Sequence, residues 1–263
     1  MPTVWYNIDI KVKERAMIQD LHSHTYYSFC GNDVPEALIE VAIAGGVEML
    51  GICDHNYGIA FARKEFYKSE LDISNTNYER TLIRYFDHMN LLKEKYADKI
   101  EIKRGIEVAT TLKFPRMLLP ENTSLAIFDY ALIEHIGNPD MSCVGRDLFS
   151  FVRALGCPCG IAHTDIFGYI DTLSEEPLDY LKRMADAGIF WEINVNYDSI
   201  HKYSEHAYVK RFFESEREQE LVRESGVKLS VGFDSHKADE YNADRIRSAC
   251  ERIEMLGIPL AFA

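Results

Sequence analysis

The chain has 263 residues, 47% of them apolar and 27% charged, and its 29 basic against 42 acidic side chains leave a formal charge of −13. That length matches one α/β barrel of roughly 250 residues, and the composition excludes disorder, collagen and, with no run of about 18 apolar residues, a membrane-spanning helix. The acidic surplus argues against a broad nucleic-acid or anionic-membrane surface, so a small-molecule partner is expected, with no nucleic acid and no membrane.

The N-terminal MPTVWYNIDIKVKERAM lacks the basic-then-apolar order of a signal peptide. Six cysteines without a CxxC pair suit a reduced, cytoplasmic protein, and Cys157-Pro-Cys159 reads as two buried thiols beside a strand. Residues 4–12 alternate, with Val4, Tyr6, Ile8, Ile10 and Val12 on one face, which suggests an extra strand within 1–16. A strand at about 17–22 precedes a helix that begins at Asp33, where Asp33-Val-Pro-Glu36 is a capping-box variant and Gly45-Gly46 marks the end.

A second strand at about 47–53 leads through a long loop to a helix over 76–97. Tyr78, Leu82, Tyr85, Met89, Leu92 and Tyr96 share one face of it. Further strands fall near 100–108, 127–134, 159–163, 189–195 and 227–233. Helical stripes Leu148/Phe151/Val152/Leu155, Leu178/Leu181/Met184 and Ile246/Ala249/Cys250/Ile253 lie between or after them. Seven strands, mostly each followed by a helix and with no linker between them, make one domain over 1–263 of parallel βα units. The segments 56–75, 110–125 and 196–206 are long and polar-aromatic, as loops that close over a site would be.

Chemistry-bearing residues stand at the end of every strand: Asp20-Leu-His22-Ser-His24, Asp54-His55, Glu107, Glu134-His135, His163-Thr-Asp165, Glu192-Ile-Asn194 and Asp234-Ser-His236. Residues i and i+2 of a strand face one side, so His22 with His24, His163 with Asp165, and Asp234 with His236 can each converge. Burying so many polar groups unpaired is costly, and imidazoles with carboxylates around divalent metals remove that cost. The ligand types suit zinc, iron(II) or manganese alike. Asp20 and Asp54 either fix histidine tautomers or brace turns, and Glu192 and Asn194 line the pocket.

The set DLHSH, CDH, GIE, EH, AHTD and GFDSH, spread in this order over 20–236, resembles the polymerase and histidinol phosphatase (PHP) superfamily. WEIN at 191–194 and SVGFDSH at 230–236 lean toward its histidinol-phosphatase-like branch. The resemblance implies a distorted (β/α)7 TIM-like barrel holding two or three divalent ions. It implies His22, His24, Glu107 and Asp234 on one metal, His55 and His236 on a second, and His135, His163 and a bridging Glu107 on a third. Many members place a histidine or aspartate where this chain has Cys30, which leaves that ligand open among the Cys30 thiolate, Asn32, Asp33 and water.

The activity implied is hydrolysis of a small phosphomonoester, such as L-histidinol phosphate of histidine biosynthesis, by a metal-bridging hydroxide. Glu107, Asp234 and Asp165 are the catalytic candidates, the last two for proton transfer. Relatives carry an arginine after the ExN strand, where this chain reads NVNYDSIHKY. His201, Lys202, Arg116, Arg146 and Lys237 are candidates to hold the phosphate in its place. A metal-dependent nuclease, another TIM-barrel metallohydrolase and a non-catalytic metal-binding PHP module are the alternatives.

Overall fold

The computed structural model describes residues 16–61, 72–73 and 76–263. The alternating segment 4–12 lies outside the described residues, as does most of the segment 56–75 beyond residue 61. Seven strands form one parallel sheet in sequence order: β1 (Gln19–Ser23), β2 (Met49–Ile52), β3 (Glu101–Val108), β4 (Tyr130–Ile133), β5 (Cys159–Ile161), β6 (Phe190–Asn194) and β7 (Leu229–Gly232). The first and last strands meet through a parallel bridge between Ser23 and Ser235. His24 N donates to Ser235 O and Asp234 N to His22 O, each at 2.7 Å. The sheet thereby curls into a (β/α)7 barrel, as expected.

Among the described residues, eight α-helices surround it: α1 (Pro35–Ala44), α2 (Tyr78–Lys95), α3 (Leu148–Leu155), α4 (Ile166–Leu173), α5 (Pro177–Asp186), α6 (Ala207–Glu214), α7 (Glu216–Ser225) and α8 (Ala243–Met255). Their apolar stripes face the barrel. Tyr78, Leu82, Tyr85, Met89 and Leu92 of α2 are buried, as are Ile246, Ala249, Cys250 and Ile253 of α8. Burial of each such large side chain contributes about 1.5–3 kcal/mol. No helix of the described residues is long and apolar enough to cross a membrane.

The start of α1 differs from the capping-box expectation. Val34 is its N-cap and makes no side-chain cap bond. Asp33 instead accepts from Ala238 N at 2.8 Å, so a tertiary contact has taken the carboxylate. The β3–β4 connection contains only a 3-10 turn, Pro115–Met117, and stays open as a loop beside the mouth of the barrel.

The barrel interior is packed by Leu21, Met49, Cys53, Tyr130, Leu132 and Phe190, so the fold is a filled cylinder with its polar residues at one end. Strands β5 and β7 end earlier than their apolar runs. His163 adopts φ 25° and Asp234 φ 55°, and such left-handed residues leave the ladder. That departure has consequences at the mouth.

Candidate metal centre

β1 carries His22 and His24 on one face, as the two-residue period requires, and their Nε2 atoms approach to 3.1 Å. His22 Nδ1 lies 2.7 Å from Glu192 Oε1, and a carboxylate can only accept, so Nδ1 holds the proton. His22 Nε2 then presents a lone pair toward Glu107 Oε1 at 3.4 Å and Asp234 Oδ1 at 3.6 Å. His24 Nε2 adds contacts of 3.3 Å to Glu107 Oε2 and 3.1 Å to Asp234 Oδ1. Acceptors pointing at one another across 3–4 Å repel unless a proton or a cation sits among them.

Glu107, the penultimate residue of β3, is fully buried and faces four imidazoles, His22, His24, His55 and His163. His163 Nε2 lies 3.0 Å from its Oε1 and His55 Nδ1 2.8 Å from its Oε2. The last contact is short but lacks hydrogen-bond alignment, for both His55 Nδ1 and Glu107 Oε2 are buried without such a partner. Glu134 Oε1 and His236 Nδ1 are orphaned in the same way. Native structures rarely bury polar atoms unsatisfied, and ligand atoms converging on an ion have this geometry.

Among the described residues, five groups of three ligand atoms, each within 4.8 Å, tile the mouth: His22/His24/Asp234, His22/Glu107/His163, His55/Glu107/Glu134, His24/Cys30/His55 and Asp198/His201/His236. Nitrogen, oxygen and sulfur donors in these sets fit divalent ions of the zinc type.

The electrostatics follow from this crowding. Burial works against a charge on Glu107, yet the charges of His55 and His22 and a hydrogen bond from His163 hold its carboxyl well below the usual range. Asp234 is depressed likewise against its burial, chiefly by His22 and His201. The imidazoles move the opposite way: burial alone would lower His163, but Glu107 and Asp234 raise it to about 9. His236 rises to about 10 against the same burial penalty, through Asp198, Asp234 and Cys30. The Cys30 thiol drops to about 5 despite burial, because His24, His55 and His236 favour its thiolate. Without ions, protons bound to the histidines supply the positive charge.

A sequence model of the PHP domain family matches residues 20–256. The chain belongs to the PHP domain family. Within that family it is 28% identical over 121 residues to the histidinol-phosphatase of Lactococcus lactis subsp. lactis (strain IL1403), a match spanning 45% of this chain and 40% of that relative. A crystal structure of histidinol phosphate phosphatase from Lactococcus lactis subsp. lactis Il1403, complexed with zinc, L-histidinol and phosphate, shares the fold. Its TM-score is 0.54 at 19% identity, over 93% of this chain and 96% of that one.

The PHP mouth gathers His22, His24, His55, Glu107, His163, Asp234 and His236, but leaves two expected site residues at its edge. His135, at φ 63°, is about half exposed; its Nδ1 is 3.0 Å from Glu134 Oε2 and its ring centroid 6.4 Å from that of His163. Asp165 caps α4 by accepting from Gly168 N and pairs with both terminal nitrogens of Arg211, at 2.8 and 2.6 Å. The left-handed turn at His163 breaks the parity that would have aimed His163 and Asp165 alike.

Asp20 and Asp54 brace turns and touch no imidazole. Asp20 accepts from His22 N, Phe233 N and the Tyr241 hydroxyl, while Asp54 accepts from Thr25 N and Ser28 N. The His22 tautomer is held by Glu192, which the sequence placed only in the pocket lining, and His201 is oriented by Asp198 at 2.7 Å. Glu134, unassigned before, is buried and faces His55. Asp198 carried no sequence signal, because it lies on the irregular 196–206 loop where no period applies.

Of the basic candidates, Lys237 is tied to Ser199 and Glu240, and Arg146 leans on Thr172 O. His201 Nε2 contacts Asp234 Oδ2 at 3.2 Å, and Lys202 is exposed. Arg116 lines a cavity of about 650 Å³ together with Lys113, Phe29, Tyr57, Phe114 and His135.

Proposed function

We propose that this chain is a metal-dependent phosphatase for a small phosphomonoester of the histidinol phosphate type. One observation carries the reading. A cluster of lone-pair donors around Glu107 opens beside a cavity of about 650 Å³ whose wall includes Phe29, Tyr57 and Phe114 and whose rim has Lys113 and Arg116. That volume suits a small ligand. Its lining divides into an aromatic part for an organic group and a cationic part for phosphate oxygens. The similarity to a histidinol-phosphatase, and to a fold seen with zinc, L-histidinol and phosphate, points to the same substrate class.

Divalent ions held by His22, His24, Glu107 and Asp234, and by His55, His163 and His236, would supply Lewis acidity and an activated water. The chain's own residues do the rest. Glu192 keeps the His22 proton on Nδ1, so Nε2 stays free to ligate. Glu192 Oε2 also accepts from His163 N at 2.6 Å and so holds the strained turn at that residue. His201, held by Asp198 and kept protonated to about 9 against its burial, stands beside Asp234 as a proton source for a departing alkoxide. The net charge of −13 disfavours a polymeric nucleic-acid substrate.

The test is a steady-state comparison on zinc-, manganese- and iron(II)-loaded protein. Phosphate release from histidinol phosphate should exceed that from an aryl phosphate in kcat/KM, and single-stranded DNA should remain intact. Equal slow turnover of every ester, or faster DNA cleavage, refutes the reading.

A further inference from the structure

We propose that Cys30 donates a thiolate to the ion bound at His55, making one site of the centre a mixed nitrogen–sulfur site that favours zinc over manganese. The inference rests on the metal-dependent reading above and concerns this chain's own residue. Cys30 Sγ, a His24 nitrogen and a His55 nitrogen lie within 4.8 Å of one another. The rings around it are ordered as a stack: His24 lies 4.5 Å from His55 and 4.8 Å from His236, centroid to centroid. His55 and His236 are 8% and 5% exposed; His55 Nδ1 lies 2.8 Å from Glu107 Oε2 and His236 Nδ1 3.6 Å from Asp198 Oδ2, neither aligned as a hydrogen bond. The Cys30 sulfur with the nitrogens of His24 and His55 thus makes a donor set of two kinds.

The loop that presents Cys30 is built to hold it there. Asp54 accepts from Thr25 N, Ser28 N and the Ser28 hydroxyl, and Ser28 Oγ accepts in turn from His55 N. Beyond Cys30, Asn32 N donates to His236 O at 2.9 Å. Between these anchors the chain folds tightly on itself: a Cβ at Gly31 would sit 2.0 Å from Thr25 O, so only glycine permits the turn. Both ends of the loop are therefore pinned to residues adjoining, or identical with, the other ligands.

As the sulfur–metal bond forms, the thiol proton passes to solvent and the ligand binds as thiolate. A soft thiolate beside imidazoles suits zinc, whereas carboxylate, carbonyl and water suit manganese. With an oxygen donor at this position the site would be harder and less selective.

Cobalt(II) reports the bond without reference to turnover. The metal-free full chain, loaded with cobalt(II), should show a near-ultraviolet thiolate-to-cobalt charge-transfer band. The band should persist in Cys143→Ser, a change in an exposed loop, and vanish in both Cys30→Ser and Cys30→Asp. Zinc affinity of the corresponding site should fall in Cys30→Ser on the order of 10–100-fold, at least what loss of an outer hydrogen-bond partner costs. Cys30→Asp should keep the metal stoichiometry while shifting competition toward manganese. A band surviving Cys30→Ser, or no band in wild type holding two equivalents, overturns the thiolate while leaving the metal centre intact. Less than one equivalent bound overturns both.

Discussion

At the scale of single residues, Glu107 has no substitute. Its Oε1 faces His22 and His163 and its Oε2 faces His24 and His55, so its two oxygens would be available to two different ions, whereas each imidazole turns a single nitrogen to it. Glu107→Gln should therefore cost more activity than Cys30→Ser, and more than the roughly 10–100-fold typical of an outer partner. Steady-state kinetics at saturating zinc measure the ranking, and equal losses would refute it. Asp165 poses the opposite question, since a carboxylate committed to Gly168 N and Arg211 acts on α4. Asp165→Ala is expected to cost about 0.5–2 kcal/mol of stability, as N-cap loss does, with turnover retained. Lost turnover at unchanged stability would return Asp165 to proton transfer.

Among the elements, the strands matter less for their length than for how they end. Left-handed backbone at His135, His163 and Asp234 costs on the order of 1–3 kcal/mol each and turns these side chains away from simple alternation. Adjacent strands then make room for one another's ligands. At Gly232, the end of β7, a Cβ would lie 2.0 Å from Glu192 Oε1 and 2.7 Å from His22 Cβ. Gly232→Ala should displace Glu192 from His22 Nδ1, destabilise by about 1–3 kcal/mol as overpacking does, and weaken zinc binding. Denaturant unfolding and zinc titration test both parts; unchanged zinc affinity would show that Glu192 does not hold the ligand.

For the whole molecule, the mouth couples folding to metal and pH. In metal-free protein His163 and His236 keep protons to about 9 and about 10, against an ordinary 6.5. A group raised on folding lends stability that is complete below its unfolded value and is lost as pH rises through its folded value. Metal-free protein should therefore lose thermal stability from about pH 6.5 to about 10. Ions replacing those protons should flatten that slope and release protons on binding. Thermal midpoints of chelated and zinc-loaded protein across that range decide it, and a midpoint independent of pH in the chelated form would contradict it.

Sequence alone determined the barrel and most of the mouth. Parallel βα units declare themselves through apolar runs of two periods, and ligand types cluster at strand ends whatever the details of packing. His22 and His24 were legible because both lie inside β1, where the period of two holds. Asp198 and the work of Glu192 were not, for Asp198 sits on an irregular loop and Glu192 meets His22 and His163 only across strands. The fate of Asp33, Asp54 and Asp165 was also a tertiary matter. A carboxylate goes to whichever donors surround it, and Ala238 N, Thr25 N and Arg211 reach those three only after the chain has closed its barrel.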